Sequence, residues 1–118
     1  MRRNLTVLLT AFALATAAAA CNGSEGTEAP AEPVATQTVT LNDTLYKPPD
    51  IMIRAGQTVT WVWDDGSVVH DVVSEGGSEE FKSKLQNSGT FTHTFSTPGR
   101  YSYYCTVHPN MRGTVKVT

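Results

Sequence analysis

Near the end of a 118-residue chain, the stretch CTVHPNM sets a thiol at Cys105, an imidazole at His108 and a thioether at Met111 within seven residues. A thiol beside an imidazole is a binding set for zinc or copper, and both metals accept these donors. The thioether separates the two. Zinc has no use for methionine at its fourth position, whereas copper takes a thiolate and two imidazoles in a near-trigonal plane with methionine as a weak axial ligand. That set suits Cu(I) and Cu(II) alike, so the site changes shape little when an electron arrives or leaves. A second imidazole is needed, and the chain has two others, His70 and His93.

The elements that must position these donors read as short strands, because from about residue 37 no stretch sustains a 3.6-residue apolar period. TQTVTLN alternates, and IMIRAGQTVTWVW gives two strands joined at Ala55 and Gly56, with Val59, Trp61 and Trp63 on one face. SVVHDVV reads as another strand. GTFTHTF puts Phe91, His93 and Phe95 on one face, RYSYYC groups Tyr101, Tyr103 and Cys105, and GTVKVT closes the chain. About seven or eight such strands over residues 37–118 predict an all-β, two-sheet antiparallel sandwich with Greek-key connections. SEEFKSKL is the one segment that reads as a helical turn. Tyr101, two residues after Gly99, fits either a tyrosine corner or an ordinary core position.

Within this frame Cys105 ends one strand and Met111 lies just before the next, so His108 belongs to the tight turn between them. His70 arrives on a strand distant in sequence and would lock that loop against the sandwich. A hairpin around STPGR would instead leave His93 near the middle of a sheet. His70 is therefore taken as the fourth ligand, and His93 as a hydrogen-bonded structural histidine.

Ahead of the domain, residues 1–20 carry Arg2 and Arg3 and then an apolar run too short and alanine-rich for a membrane span, the pattern of a signal peptide. Ala18, Ala19 and Ala20 directly precede Cys21, as in a bacterial lipoprotein whose cysteine is acylated; an ordinary secretory cleavage with Cys21 incidental is the alternative. Residues 21–36 are rich in Gly, Pro, Ala and Glu and predict a lipid-anchored flexible linker with a reach on the order of 20 Å. The protein is thus expected to be exported, to the periplasm or the outer face of the cell membrane. A disulfide from Cys21 to Cys105 would join a tail to a domain that needs no staple. An unpaired Cys105 in an oxidising compartment needs a cap, and a metal is one. Without Arg2 and Arg3 the chain carries about −4, and Glu25, Glu28 and Glu32 fall in the linker, so the domain is near neutral and nucleic-acid binding is not expected. Neither paired carboxylates, a Ser-His-Asp set nor a Gly-rich phosphate loop stands out, so no enzyme is expected.

The run GTFTHTFSTPGRYSYYCTVHPNMRGTVKV, and PPDIMIRAGQTVTWVW with VVHDVV, resemble the two halves of the cupredoxins, in particular the small plastocyanin-like proteins of bacteria and archaea. The resemblance covers residues 38–118. The short ligand loop is similar to that of the amicyanins, while TWVWDDG, with Trp63 in place of their Asn, is closer to the halocyanins. The resemblance implies a blue copper protein holding one type 1 copper ion on His70, Cys105, His108 and Met111. It also implies single-electron transfer between a protein donor and a protein acceptor in transient contact, by a monomer. An electron port at His108 and Pro109, rimmed by Pro48, Pro49 and Met52, follows from the same likeness. Two positions depart from the family. Asp71 stands where most members have Asn, so a carboxylate that only accepts hydrogen bonds must tie the ligand loops. Val107 stands where Pro is usual and restores a backbone N–H; aimed at the Cys105 sulfur, it would withdraw thiolate charge and raise the copper potential. A copper carrier or buffer without redox work is the alternative function, although three Met and three His form no tract. A metal-free adhesion module would leave four donors converging without purpose.

Overall fold

The computed structural model describes residues 32–118; the expected signal peptide and Cys21 lie outside the described residues. Eight strands follow in chain order: β1 (Thr38–Asn42), β2 (Leu45–Lys47), β3 (Asp50–Ile53), β4 (Thr58–Trp63), β5 (Val73–Ser74), β6 (Thr90–Thr94), β7 (Gly99–Cys105) and β8 (His108–Val117). They form two four-stranded sheets, in the order β2-β1-β4-β6 and β3-β8-β7-β5. Period-two burial makes the layers. In β4, Val59, Trp61 and Trp63 are buried while the threonines and Val62 between them are only partly so. In β7, Tyr101, Tyr103 and Cys105 face them from the other sheet. Trp61 is the hinge of the core, stacked on Phe81 at 5.6 Å and edge-on to Tyr103 at 5.4 Å.

The sheets are not antiparallel throughout, contrary to the expectation from the strand pattern. Both sheets are mixed, because β1 runs parallel to β4 and β3 parallel to β8. Parallel neighbours require long connections, and here the chain supplies them by crossing between the layers. STPGR is one of those crossings rather than a hairpin, since β6 pairs with β4 while β7 pairs with β8 and β5. Its corner is held by Tyr101, whose hydroxyl donates to the carbonyl of Thr97, four residues upstream, at 2.7 Å. This is the tyrosine corner.

SEEFKSKL forms no helical turn, contrary to the expectation from its sequence. It runs extended beside residues 70–74: Ser83 N–H donates to Val72 O, Ser74 N–H to Phe81 O, and His70 and Gln86 exchange both backbone bonds. Phe81 and Ser83 are buried and Lys82 and Lys84 exposed, a period of two. Burying one phenylalanine contributes about 1.5–3 kcal/mol, against a few tenths per residue for helix propensity, so the core decides the conformation. The stretch SVVHDVV is likewise irregular, with only β5 and an isolated bridge at His70.

All of this points the donors at one pole. There β7 ends and β8 begins, and β1 and β4 both terminate. At the opposite pole Gln37, Ile53, Arg54, Gln57 and Thr118 line an open groove. The chain joins the sandwich on that side: Val34 N–H donates to Asp50 O at 3.0 Å and Val34 O accepts from Met52 N–H at 2.9 Å, so pairing starts inside the segment 21–36 expected as linker.

Candidate metal centre

Cys105 closes β7 with no exposed surface, and the two-residue turn Thr106-Val107 returns the chain so that His108 opens β8 opposite it. The register shifts at Tyr104 and Cys105, an irregularity of the kind that re-aims a side chain at the end of a ladder. His108 thus lies at the first position of the strand and not inside the turn. Met111 is buried three residues further along β8, and His70 comes in fully buried from the connection after β4.

These side chains converge. His70 Nδ1 and His108 Nδ1 are 3.1 Å apart, and Cys105 Sγ is 3.9 Å from the first and 3.5 Å from the second. Among the described residues this is the only group of three or more His, Cys, Asp or Glu side chains close enough to share an ion. The triangle fits one. An ion ~2.0 Å from each nitrogen and ~2.3 Å from sulfur would see the three edges at roughly 100°, 110° and 130°, a sum between a tetrahedral face and a flat triangle. Both Nδ1 atoms must be free of a proton and the thiol ionised for this, which couples occupancy to pH.

His70 is held from every side. Its backbone is paired with Gln86 at 2.9 and 3.1 Å, and its carbonyl accepts the indole N–H of buried Trp63 at 2.9 Å. Its outer ring nitrogen, Nε2, lies 2.7 Å from Asp65 Oδ2. The hydrogen bond from His70, then the N–H of Thr44, hold the Asp65 carboxyl below its usual range against a smaller opposing effect of burial. Sequence reading missed Asp65. Its signal, an acid five residues before a ligand, is too common to single out.

Asp71 does tie the ligand loops, with Thr106 as donor. Its Oδ1 accepts the Thr106 N–H at 2.7 Å and its Oδ2 the Thr106 hydroxyl at 2.6 Å, in a carboxylate that is 4% exposed. The Tyr46 hydroxyl donates to the Asp71 carbonyl at 2.6 Å. Burial, then the nearby Cys105, push that phenol's pKa upward and keep it a donor.

His93 stands apart, on β6 opposite Val59 and against the rings of Phe81 and Phe95. Its Nε2 lies 3.4 Å from Glu79 Oε1 without hydrogen-bond geometry, so the hydrogen bond expected of it is not made. Met52 is no part of a rim around the port. It pairs with Lys116, five residues beyond Met111, or roughly 16 Å at ~3.3 Å per residue. Pro49 lies on the flank, its carbonyl accepting from Thr114 N–H. The apolar side chains left exposed beside the ligands are Val68 and Val69 before His70, Leu85 before Gln86, and Val107 and Pro109 around His108.

Comparison with known proteins agrees with this geometry. Amicyanin-alpha of Methylorubrum extorquens is 35% identical over 113 residues, covering 92% of each chain. Amicyanin of Paracoccus versutus is 38% identical over 77 residues, and there the chain spans 57% of its relative's length. Among solved structures, a purple cupredoxin from Nitrosopumilus maritimus superposes with a TM-score of 0.64 at 32% identity, over 70% of this chain and 100% of that one. A copper-containing nitrite reductase from Thermus scotoductus gives 0.63 at 29% identity, over 75% of this chain and only 23% of the enzyme. The fold therefore also occurs as part of a much larger catalytic chain. The family model described as the cupredoxin-like domain matches residues 4–117, nearly the whole sequence, and this chain belongs to that family.

Proposed function

We propose that His70, Cys105, His108 and Met111 hold one type 1 copper ion and that the protein shuttles single electrons between transiently bound protein partners outside the cytoplasm. The observation that carries this reading is the buried Cys105, His70 and His108 triangle at one pole of a rigid sandwich. A copper ion bound there supplies a one-electron couple between Cu(I) and Cu(II). The chain's own residues supply the rest. Cys105, His70 and Met111 are withdrawn from water, so solvent has little to reorganise around them. The bonds to Gln86, Trp63 and Asp65 hold His70 in one geometry, which keeps the ligand frame alike in both oxidation states. Half-buried His108 brings one edge of the centre to the surface, and exposed Pro109, Val107, Val68, Val69 and Leu85 give a partner an apolar face beside it. Four donors from the chain itself leave no position for substrate, which disfavours an enzyme.

A copper carrier that hands the ion on would need donors a recipient can reach, and three of these four are buried. Loaded protein challenged with a competing chelator discriminates the two: retention for days and a reversible one-electron wave are expected, and release within seconds would establish the carrier. The same voltammetry examines Val107. Among the described residues the contacts to Cys105 Sγ come from the His70 and His108 rings, and the Val107 N–H makes none in the metal-free chain. If that N–H turns onto the thiolate when copper binds, Val107→Pro lowers the midpoint potential by ~40 mV, the one-electron equivalent of a hydrogen bond contributing about 1 kcal/mol. An unchanged or higher potential removes that role.

The anchoring of the chain is part of the same reading. With a lipid on Cys21, the tether would join the sandwich near Val34, at the pole opposite the ligands, and leave the His108 face free for partners. Mass spectrometry of the mature N-terminal peptide is expected to find a diacylglyceryl group on Cys21; a mature chain starting elsewhere, or an unmodified Cys21, contradicts it.

A further inference from the structure

Asp65 is not one of the four donors, yet its single carboxylate gathers three hydrogen bonds from two separate parts of the chain. Oδ1 accepts the N–H of Asp43 at 3.1 Å, and Oδ2 accepts both the N–H of Thr44 at 3.0 Å and His70 Nε2 at 2.7 Å. Asp43 and Thr44 form the β1–β2 turn, with φ of 53° and 59°, and are the two non-glycine residues in the left-handed region among those described. Two consecutive left-handed residues make the tight hairpin turn, and here their successive N–H groups form the cradle for one anion. The turn is braced in addition by Lys47, whose ammonium reaches Asn42 Oδ1 at 3.0 Å and Asp43 Oδ2 at 2.5 Å. The side chain of Asp65 is 15% exposed, so this junction is largely shielded from water.

We infer that Asp65 is the positioning residue of the centre: seated in the β1–β2 turn, it selects the His70 tautomer protonated at Nε2. A neutral imidazole carries one proton, and a carboxylate at 2.7 Å from Nε2 can only accept it, so the lone pair is left on Nδ1. Nδ1 is the atom that faces Cys105 and His108. Among the described residues Asp65 is the sole hydrogen-bond partner of Nε2, so without it the proton is free to sit on Nδ1 and block the ligand position. The inference rests on the copper reading only for its effect on the loaded protein; the tautomer belongs to the metal-free chain.

The test is therefore made first without metal. Nitrogen-15 NMR of His70 in the metal-free protein, at a pH where the imidazole is neutral, is expected to report a proton on Nε2 and none on Nδ1. A wild-type protein with His70 protonated at Nδ1 overturns the inference whatever the variants do. Asp65→Leu should give a mixture of tautomers and weaken copper binding by ~10–100-fold, the range found when the partner of a ligating histidine is removed. Asp65→Asn, whose carbonyl can still accept from Nε2, should restore the single tautomer and most of the affinity. Lys47→Ala, which loosens the turn alone, should lower thermal stability while tautomer and affinity hold. If Asp65→Leu keeps one Nε2 tautomer and full copper affinity, Asp65 is only an anchor for the turn. Should the protein bind no copper at all, the NMR result still decides the tautomer, so the two readings fail separately.

Discussion

Cys105→Ser is expected to leave the sandwich folded and to abolish the intense visible absorption of the copper-loaded protein, with copper affinity falling at least ~100-fold, equivalent to about 2.7 kcal/mol. The thiolate is the one soft anionic donor in the triangle, and the visible band arises from charge passing from it to Cu(II). A serine hydroxyl stays protonated and is too hard a donor to replace it. The fold should survive because the two side chains are close in size. Burying the hydroxyl in place of the thiol costs about 1–3 kcal/mol, less than a domain of this size has in hand. Met111→Leu makes the contrast: the thioether donor would be lost while the thiolate would remain, and the band should persist at a shifted wavelength. Circular dichroism separates loss of metal from loss of fold, and a blue Cys105→Ser protein would contradict the assignment of Cys105.

Gly113→Ala is expected to be the most destabilising small change in the domain, at about 3 kcal/mol. Gly113 faces the core from β8, directly paired with Tyr103 on β7. A Cβ there would run into Cζ and the hydroxyl of Tyr103 and lie 2.8 Å from its Cε2. The ring has nowhere to go. It is fully buried, edge-on to Tyr46 at 4.7 Å and to Trp61 at 5.4 Å. Interiors this dense answer one added methyl by shifting backbone. Here the strand that must shift also carries Met111, two residues earlier, and His108. At ~4–8 °C per kcal/mol the melting temperature should fall on the order of 15 °C. Thermal unfolding checks it, and an unchanged melting temperature would show that the core has room the packing denies.

Much of this centre was legible in the sequence because its donors are rare residues at fixed spacing. Cys105 ends β7, His108 opens β8 and Met111 lies three residues along it, so one strand pair brings all three to one pole. His93 does stand away from the ligand end of its sheet, opposite Val59, although STPGR is a crossover between sheets and not the hairpin from which that placement was expected. Local pattern does not say which sheet a strand joins, so the parallel pairs β1 with β4 and β3 with β8 were invisible. The extended path of residues 78–85 was hidden for a related reason: Phe81 is drawn to Trp61, a contact twenty residues away in sequence. Asp65 was missed because its role depends on the backbone of Asp43 and Thr44, more than twenty residues before it. The apolar rim was misread at Met52 because register along β3 places that residue beside Lys116, toward the far pole.

These four side chains are proposed to make a type 1 copper centre, and this is tested most directly by titrating Cu(II) into purified metal-free protein while recording the visible spectrum. An intense band near ~600 nm that saturates at about one copper per chain, from thiolate-to-copper charge transfer, is expected. A colourless complex, or no saturable binding, would contradict it.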